Sequence, residues 1–250
     1  MNYLLLNFSS VLLCLIPFAL LTGPFLPDLF LSIISLIFLY YIFKKKKWYY
    51  LNNGIFKFFI IFNVYLILIS IISEWPTHSI KSSFFYFRFT IFIFAVAFLL
   101  DQNKKLLKYF TIIFLISFIF ALIDGYFQYF NGYSVFGFIS EHPSRMTLLL
   151  NDNMILGGYL SRLFPLLIAL LIYVYPSNFT NIIIGSLLLV STDVLIFITG
   201  ERTALGLLFL STILIITLIS KYKLLRIITL VLSIIFISFI SFSNSEIRER

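Results

Sequence analysis

Apolar residues in this chain come in unbroken runs, not in alternation. Ile, Leu and Phe follow one another for about twenty residues at a time, and short polar or charged stretches separate the runs. A helix rises about 1.5 Å per residue, so about 20 apolar residues cross a hydrocarbon core of about 30 Å. Runs of that length predict membrane-spanning helices near 4–22, 27–43, 55–73, 84–100, 109–124, 154–175, 182–199, 203–220 and 225–242, nine in all. Transmembrane strands would alternate polar and apolar positions, so continuous runs exclude them. The expected fold class is therefore all-α: a polytopic helical membrane protein forming a single helical domain over 1–250. No Lys or Arg precedes the run 4–22, which reads as a span and not as a signal peptide.

Composition narrows the picture. Of 250 residues, 61% are hydrophobic, 20% aromatic and only 11% charged, with a mean hydropathy of +1.07. A soluble domain carries about 25% charged residues, so a soluble globular enzyme, a disordered chain and a secreted disulfide scaffold are all excluded. The lone cysteine, Cys14, has no intrachain disulfide partner, and no thiol cluster exists for a metal. The net charge of +8 would suggest nucleic acid in a soluble protein. Here its distribution across a bilayer explains it, and no nucleic acid is expected.

With the N-terminus placed in the cytoplasm, the inner loops hold Lys44 to Lys47, Lys57, Lys104, Lys105, Lys108, Lys221, Lys223 and Arg226, eleven of the 18 basic residues. The opposite orientation would invert this positive-inside bias. Ten of the eleven lysines lie inside, whereas Arg88, Arg145, Arg162, Arg202, Arg248 and Arg250 fall outside or on the outer half of spans. Either base would serve topology equally. Arginine differs in presenting a planar fork that grips phosphate oxygens bidentately and stays charged when partly desolvated. The run Lys44 to Lys47 reads as a topology anchor that touches anionic membrane lipids.

Two outer segments stand out. Gly125 to Asn153 is the longest connection, rich in Tyr, Phe, Gly and Asn; Asn244 to Arg250 carries four charges in its last five residues and reads as the start of an exterior domain that continues past Arg250. Within Arg145 to Arg162, the residues Asn151, Asp152 and Asn153 are helix-capping types in front of a long apolar run, so the sixth span should start there. Gly158 and Arg162, four apart, share a helix face, which leaves open space beside a positive charge; Pro165 weakens the helix below. An anion site and plain small-residue packing at Gly157, Gly158 and Ser161, with Arg162 snorkelling outward, are equally good readings. The tight turn Thr199-Gly-Glu-Arg-Thr203 favours function: Thr203 would cap the eighth span, Arg202 would stand at its N-terminal end, and Glu201 would orient the guanidinium. Arg88, one turn inside the fourth span, calls for a partner among Asp124, Asp193 and Glu74, or for a polar cavity; a structural ion pair is the better reading. Asp193 could pair with any of these arginines. His142 is the only histidine of the long loop, a general-base candidate that reads better as ordinary surface. His78, beside Trp75 and Pro76, belongs to an interfacial belt. The residue types of a metal site or a Walker-type phosphate loop are missing.

The segments Tyr86-Phe-Arg-Phe89, Ile123-Asp-Gly-Tyr-Phe-Gln128, Arg145 through Asn151-Asp-Asn-Met-Ile-Leu-Gly-Gly-Tyr-Leu-Ser-Arg162-Leu-Phe-Pro165, and Thr199-Gly-Glu-Arg-Thr203, in that order, resemble the O-antigen ligase / O-antigen polymerase superfamily of bacterial inner-membrane proteins. The resemblance spans about residues 80 to 205. It implies a glycosyltransferase of lipopolysaccharide biosynthesis that takes a glycan from undecaprenyl pyrophosphate on the periplasmic face, without metal or cofactor. The acceptor is the lipid A core in the ligase branch and another lipid-linked glycan in the polymerase branch. By position, Arg145, Arg162 and Arg202 would hold the donor pyrophosphate, while Asp152, Asn153 and Gly157 would shape the pocket's mouth. The family's proposed catalytic histidine lies in an exterior domain after about the ninth span, so the general base is expected beyond Arg250.

This chemistry suits the residues. Loss of pyrophosphate from an anomeric carbon develops negative charge, which arginines and a helix N-terminus in low dielectric stabilise. A ligase is the leading expectation and a polymerase its nearest relative; a transporter of lipid-linked sugar, or a non-catalytic subunit, is the alternative. A transporter would spread charge through the midplane, whereas these arginines gather at one face. The orientation is directly testable: a phosphatase reporter fused after Gly132 should be active and one fused after Lys105 inactive, and the reverse result overturns it.

Overall fold

In a computed structural model the chain is described over residues 2–139, 146–147, 156–176 and 178–243. Among the described residues ten α-helices follow one another, α1 (Asn2–Ala19), α2 (Phe25–Lys45), α3 (Gly54–Ile72), α4 (Pro76–Phe85), α5 (Phe87–Gln102), α6 (Leu106–Asn131), α7 (Leu156–Val174), α8 (Phe179–Ile198), α9 (Arg202–Leu218) and α10 (Lys223–Ser243). Among the described residues, eight segments are long and apolar enough to cross a membrane, with α4 and α5 counted together over Pro76–Gln102; α9, at 17 residues, is a shorter apolar helix. The protein is an all-α, multi-pass membrane protein. The helical state follows from the solvent: in hydrocarbon every backbone N–H and C=O must be satisfied within the segment.

Two compact units divide the chain that the sequence suggests as one helical domain. The first comprises Met1–Leu20 and Pro24–Phe110, the second Leu21–Gly23 and Thr111–Arg250. In the first, α2 packs on α1 and α5, and α3 packs on α4 and α5. Polar side chains tie these apolar surfaces together. Asn63 Nδ2 donates to Thr90 Oγ1 at 2.8 Å, and the Ser70 and Ser83 hydroxyls join α3 to α4. Arg88 Nη2 donates to Asp28 Oδ2 at 2.7 Å, joining α5 to α2. Arg88 is therefore in a structural ion pair, but its partner is Asp28 and not Asp124, Asp193 or Glu74. At the other end of these helices Phe38, Tyr50 and Phe98 form an aromatic cluster, and the Tyr50 hydroxyl donates to Asp101 Oδ2 at 3.1 Å. Burial, reinforced by Tyr49 and Asp101 beside it, pushes the Tyr50 phenol above its ordinary value.

In the second unit, α10 packs on α8 and α9, and α7 packs on α8 and α9. Its polar centre is Arg226, fully buried, whose Nη1 donates to Asp193 Oδ2 at 2.7 Å and Nη2 to Asp193 Oδ1 at 3.0 Å. Thr212 of α9 also accepts from Nη2, Ser233 donates to Asp193 Oδ2 at 2.9 Å, and the guanidinium lies 5.6 Å from the Phe164 ring centre. Arg226 is thus a core residue and not the inner-loop topology charge that the sequence suggests. Near the start of α10 its long side chain reaches inward to a carboxylate on α8, where a snorkelling arginine would reach outward.

The sixth helix differs most from expectation. It runs on to Asn131 where the sequence suggests an exit at Asp124, so the connection expected from Gly125 begins at Gly132. Asp124 and Gln128, four apart on one stripe, both turn inward. Gln128 Nε2 donates to Asp124 Oδ2 at 2.7 Å, and the Val135 amide donates to Asp124 Oδ1 at 2.8 Å. Polar residues taken for an exit are in fact satisfied inside the fold. Gly132, at φ +79°, then ends the helix with its amide on the Gln128 carbonyl.

Asp193→Ala would leave the Arg226 guanidinium buried without its carboxylate, and we expect it to cost about 3–5 kcal/mol. The double variant Asp193→Ala/Arg226→Met should recover most of that loss, as measured by unfolding in mild detergent. A single variant as stable as the parent would contradict the role of the pair.

Candidate functional site

The end of the second unit where α7 and α9 both begin brings two of the sequence-predicted segments together. Alpha-helix starts leave amides without intrahelical partners and carry partial positive charge. At α7 one such amide is satisfied from another element: Gly157 N–H donates to Glu201 Oε1 at 2.8 Å. The capping residues expected for this helix, Asn151, Asp152 and Asn153, lie outside the described residues, as do Arg145 and His142.

Close approach is what requires glycine here. A Cβ on Gly157 would lie on Thr199 Oγ1, closer than real Cβ contacts, and 3.0 Å from the Glu201 carboxyl carbon; one on Gly158 would lie 3.3 Å from Glu201 Oε2. The space that the sequence reading leaves open beside Gly158 is therefore filled by the Glu201 carboxylate. Thr199 is buried, donates its hydroxyl to the Ile196 carbonyl at 2.7 Å, and precedes Gly200, whose φ of +69° turns the chain sharply into Glu201. Glu201 occupies the N-cap position of α9 and Arg202 its first turn. Thr203 is thus one residue inside the helix and not its cap.

Arg162 lies four residues beyond Gly158, about 6 Å down the same stripe of α7. Both Arg162 and Arg202 are exposed, and among the described residues neither makes an ion pair. The helix of Arg162, α7, continues through Pro165 without a break. Ser161, buried, hydrogen-bonds within its own turn to the Gly158 carbonyl at 3.4 Å. The group as described is two adjacent helix N-termini, two exposed arginines and one carboxylate. Its electrostatic surplus is positive.

Sequence reasoning passed over what supports this end. Gln128 accepts from the Thr147 amide at 3.1 Å and donates to its carbonyl at 3.1 Å, pinning a residue of the long connection to α6. Tyr126 donates its hydroxyl to the Ser191 carbonyl at 2.8 Å, and Gly125 lies against Leu195 and Leu156. The spacing of Asp124 and Gln128, one turn apart, is a signal that could have revealed the anchor. Arg88 is not brought to this site; it belongs to the first unit, paired with Asp28. Among the described residues no group of three or more His, Cys, Asp or Glu side chains comes together to hold a metal ion.

Comparison with known proteins returns nothing on which to place this site: no family model matches the chain, and neither a curated protein nor a solved structure matches it.

The glycine requirement makes a sharp prediction. Gly157→Ala should destabilise the protein by about 1–3 kcal/mol through overpacking against Thr199 and Glu201. Gly206→Ala on α9, where a Cβ meets nothing within 4 Å, should leave stability unchanged or slightly raised. Equal thermal midpoints for the parent and Gly157→Ala would contradict the packed junction.

Proposed function

We propose that this protein is a membrane glycosyltransferase of the O-antigen ligase type, which accepts a glycan from undecaprenyl pyrophosphate at the periplasmic face of a bacterial inner membrane and passes it to the lipid A core. The observation that carries this reading is the meeting of the Gly157–Arg162 and Thr199–Arg202 segments at one end of a helical bundle, held by the Gly157–Glu201 hydrogen bond. Those are the segments that resemble the ligase and polymerase superfamily. Together they offer a positive surplus to an anion.

The chemistry needs no more from this region than charge. The sugar's anomeric carbon breaks its bond to the pyrophosphate oxygen as the acceptor hydroxyl forms a new one with inversion. The hydroxyl proton passes to a general base, and undecaprenyl pyrophosphate leaves with both bonding electrons. Arg202 and Arg162 supply preorganised donors to those oxygens, and the α7 and α9 N-termini add fixed dipoles. Arg145 joins them in this reading. Glu201 offsets part of the positive charge while the site is empty and keeps the turn seated on α7. A polymerase would share this donor site and differ in its acceptor.

Binding of the donor's leaving group tests the reading in the chain as it stands. Undecaprenyl pyrophosphate should bind the detergent-solubilised protein and outcompete undecaprenyl monophosphate. Arg202→Lys, which keeps the charge and removes the fork, should weaken binding at least tenfold at unchanged protein level. Undiminished binding by Arg202→Lys, or no preference for pyrophosphate, would overturn the assignment.

A further inference from the structure

We propose that the pocket at the junction of α4 and α5 holds the phosphate of an anionic lipid headgroup. This inference concerns the first unit alone and stands independently of glycan transfer. The pocket has a volume of about 460 Å³, and its walls include His78, Lys81, Ser82, Tyr86, Arg88 and Phe89. Helical spacing puts His78, Lys81 and Ser82 on one stripe of α4, at positions i, i+3 and i+4. The turn at Tyr86, whose amide donates to the Ser83 carbonyl at 3.2 Å, then brings Arg88 and Phe89 of α5 to the same space.

Arg88 is fixed in place but not used up. A single prong, Nη2, contacts Asp28 at 2.7 Å, and the guanidinium lies 5.1 Å from the Phe89 ring centre. Its Nε–H is buried and has no hydrogen-bond partner among the described residues. Asp28 balances one positive charge. Lys81 makes no ion pair among the described residues, so the pocket keeps a positive surplus. A phosphate, with several strong acceptor oxygens, matches an arginine edge, a lysine and a serine hydroxyl better than a single carboxylate would.

The surroundings favour a lipid as the carrier of that phosphate. Ile72, Trp75 and Phe84, all exposed, lie beside the stripe in sequence and offer apolar and aromatic surface where acyl chains meet headgroups.

Trp48 and Trp75 are the chain's two tryptophans, so Trp48→Phe leaves Trp75, at the N-cap position of α4, as a local reporter. In uncharged detergent, dioctanoyl phosphatidylglycerol should give a saturable change in Trp75 emission, dioctanoyl phosphatidylcholine at least tenfold weaker binding, and glycerol phosphate none. His78→Ala/Lys81→Ala, at two exposed positions, should weaken phosphatidylglycerol binding about tenfold with an unchanged thermal midpoint. Equal affinity for the two lipids, or no effect of the double variant, would overturn the site. Glycerol phosphate binding as tightly as phosphatidylglycerol would overturn the lipid source and assign the pocket to free phosphate esters.

Discussion

The second unit depends on one ion pair. A guanidinium and a carboxylate taken out of water each lose several kcal/mol of solvation, and the loss is recovered only when each finds the other with its remaining donors and acceptors also met. Arg226 and Asp193 come close to that condition: two parallel hydrogen bonds, a threonine from α9 and a serine from α10 surround the pair. Those four side chains belong to α8, α9 and α10, so the electrostatic requirement fixes three helices at once. Leucine and isoleucine surfaces, which meet lipid tails as comfortably as each other, could not fix register in this way.

That fixed trio presents the turn between α8 and α9 to α7. Gly200 supplies the left-handed conformation, Thr199 folds its hydroxyl back on its own helix, and Glu201 reaches the Gly157 amide in the first turn of α7. Glycine at 157 and 158 is the counterpart of that reach. The consequence is electrostatic: among the described residues, two helix starts and two arginines share one end with a single carboxylate. In the proposed function such an end holds an anion, since its arginines are of the type that grips phosphate oxygens in pairs.

Much of the fold was legible in the sequence because hydrocarbon is a demanding solvent. Any run of about twenty apolar residues must become a helix there, whatever it packs against. What was not legible was the destination of charge. Local sequence shows that Arg88 needs a partner but not which helix supplies it, since Asp28 is 60 residues away; the partner of Arg226, Asp193, is 33 residues away and is not signalled at all. Arg226 shortly after Lys221 and Lys223 looks like one more loop charge. Asp124 before Gly125 looks like the end of a span, although Gln128 one turn later points the same way and completes a polar stripe. The candidate site was legible as two segments. Their meeting was not, because it rests on a carboxylate whose role at Glu201 is set by a helix start more than forty residues earlier in the chain.

The central claim is that a lipid-borne pyrophosphate lies between the start of α7 and the start of α9. Photo-cross-linking locates it directly. A polyprenyl pyrophosphate carrying a photoreactive group beside the phosphates, reacted with the solubilised protein and mapped by peptide mass spectrometry, should label residues 156–165 and 199–206, and unlabelled pyrophosphate lipid should suppress that labelling. Labelling confined to the first unit, or labelling that competitor does not suppress, would contradict the account.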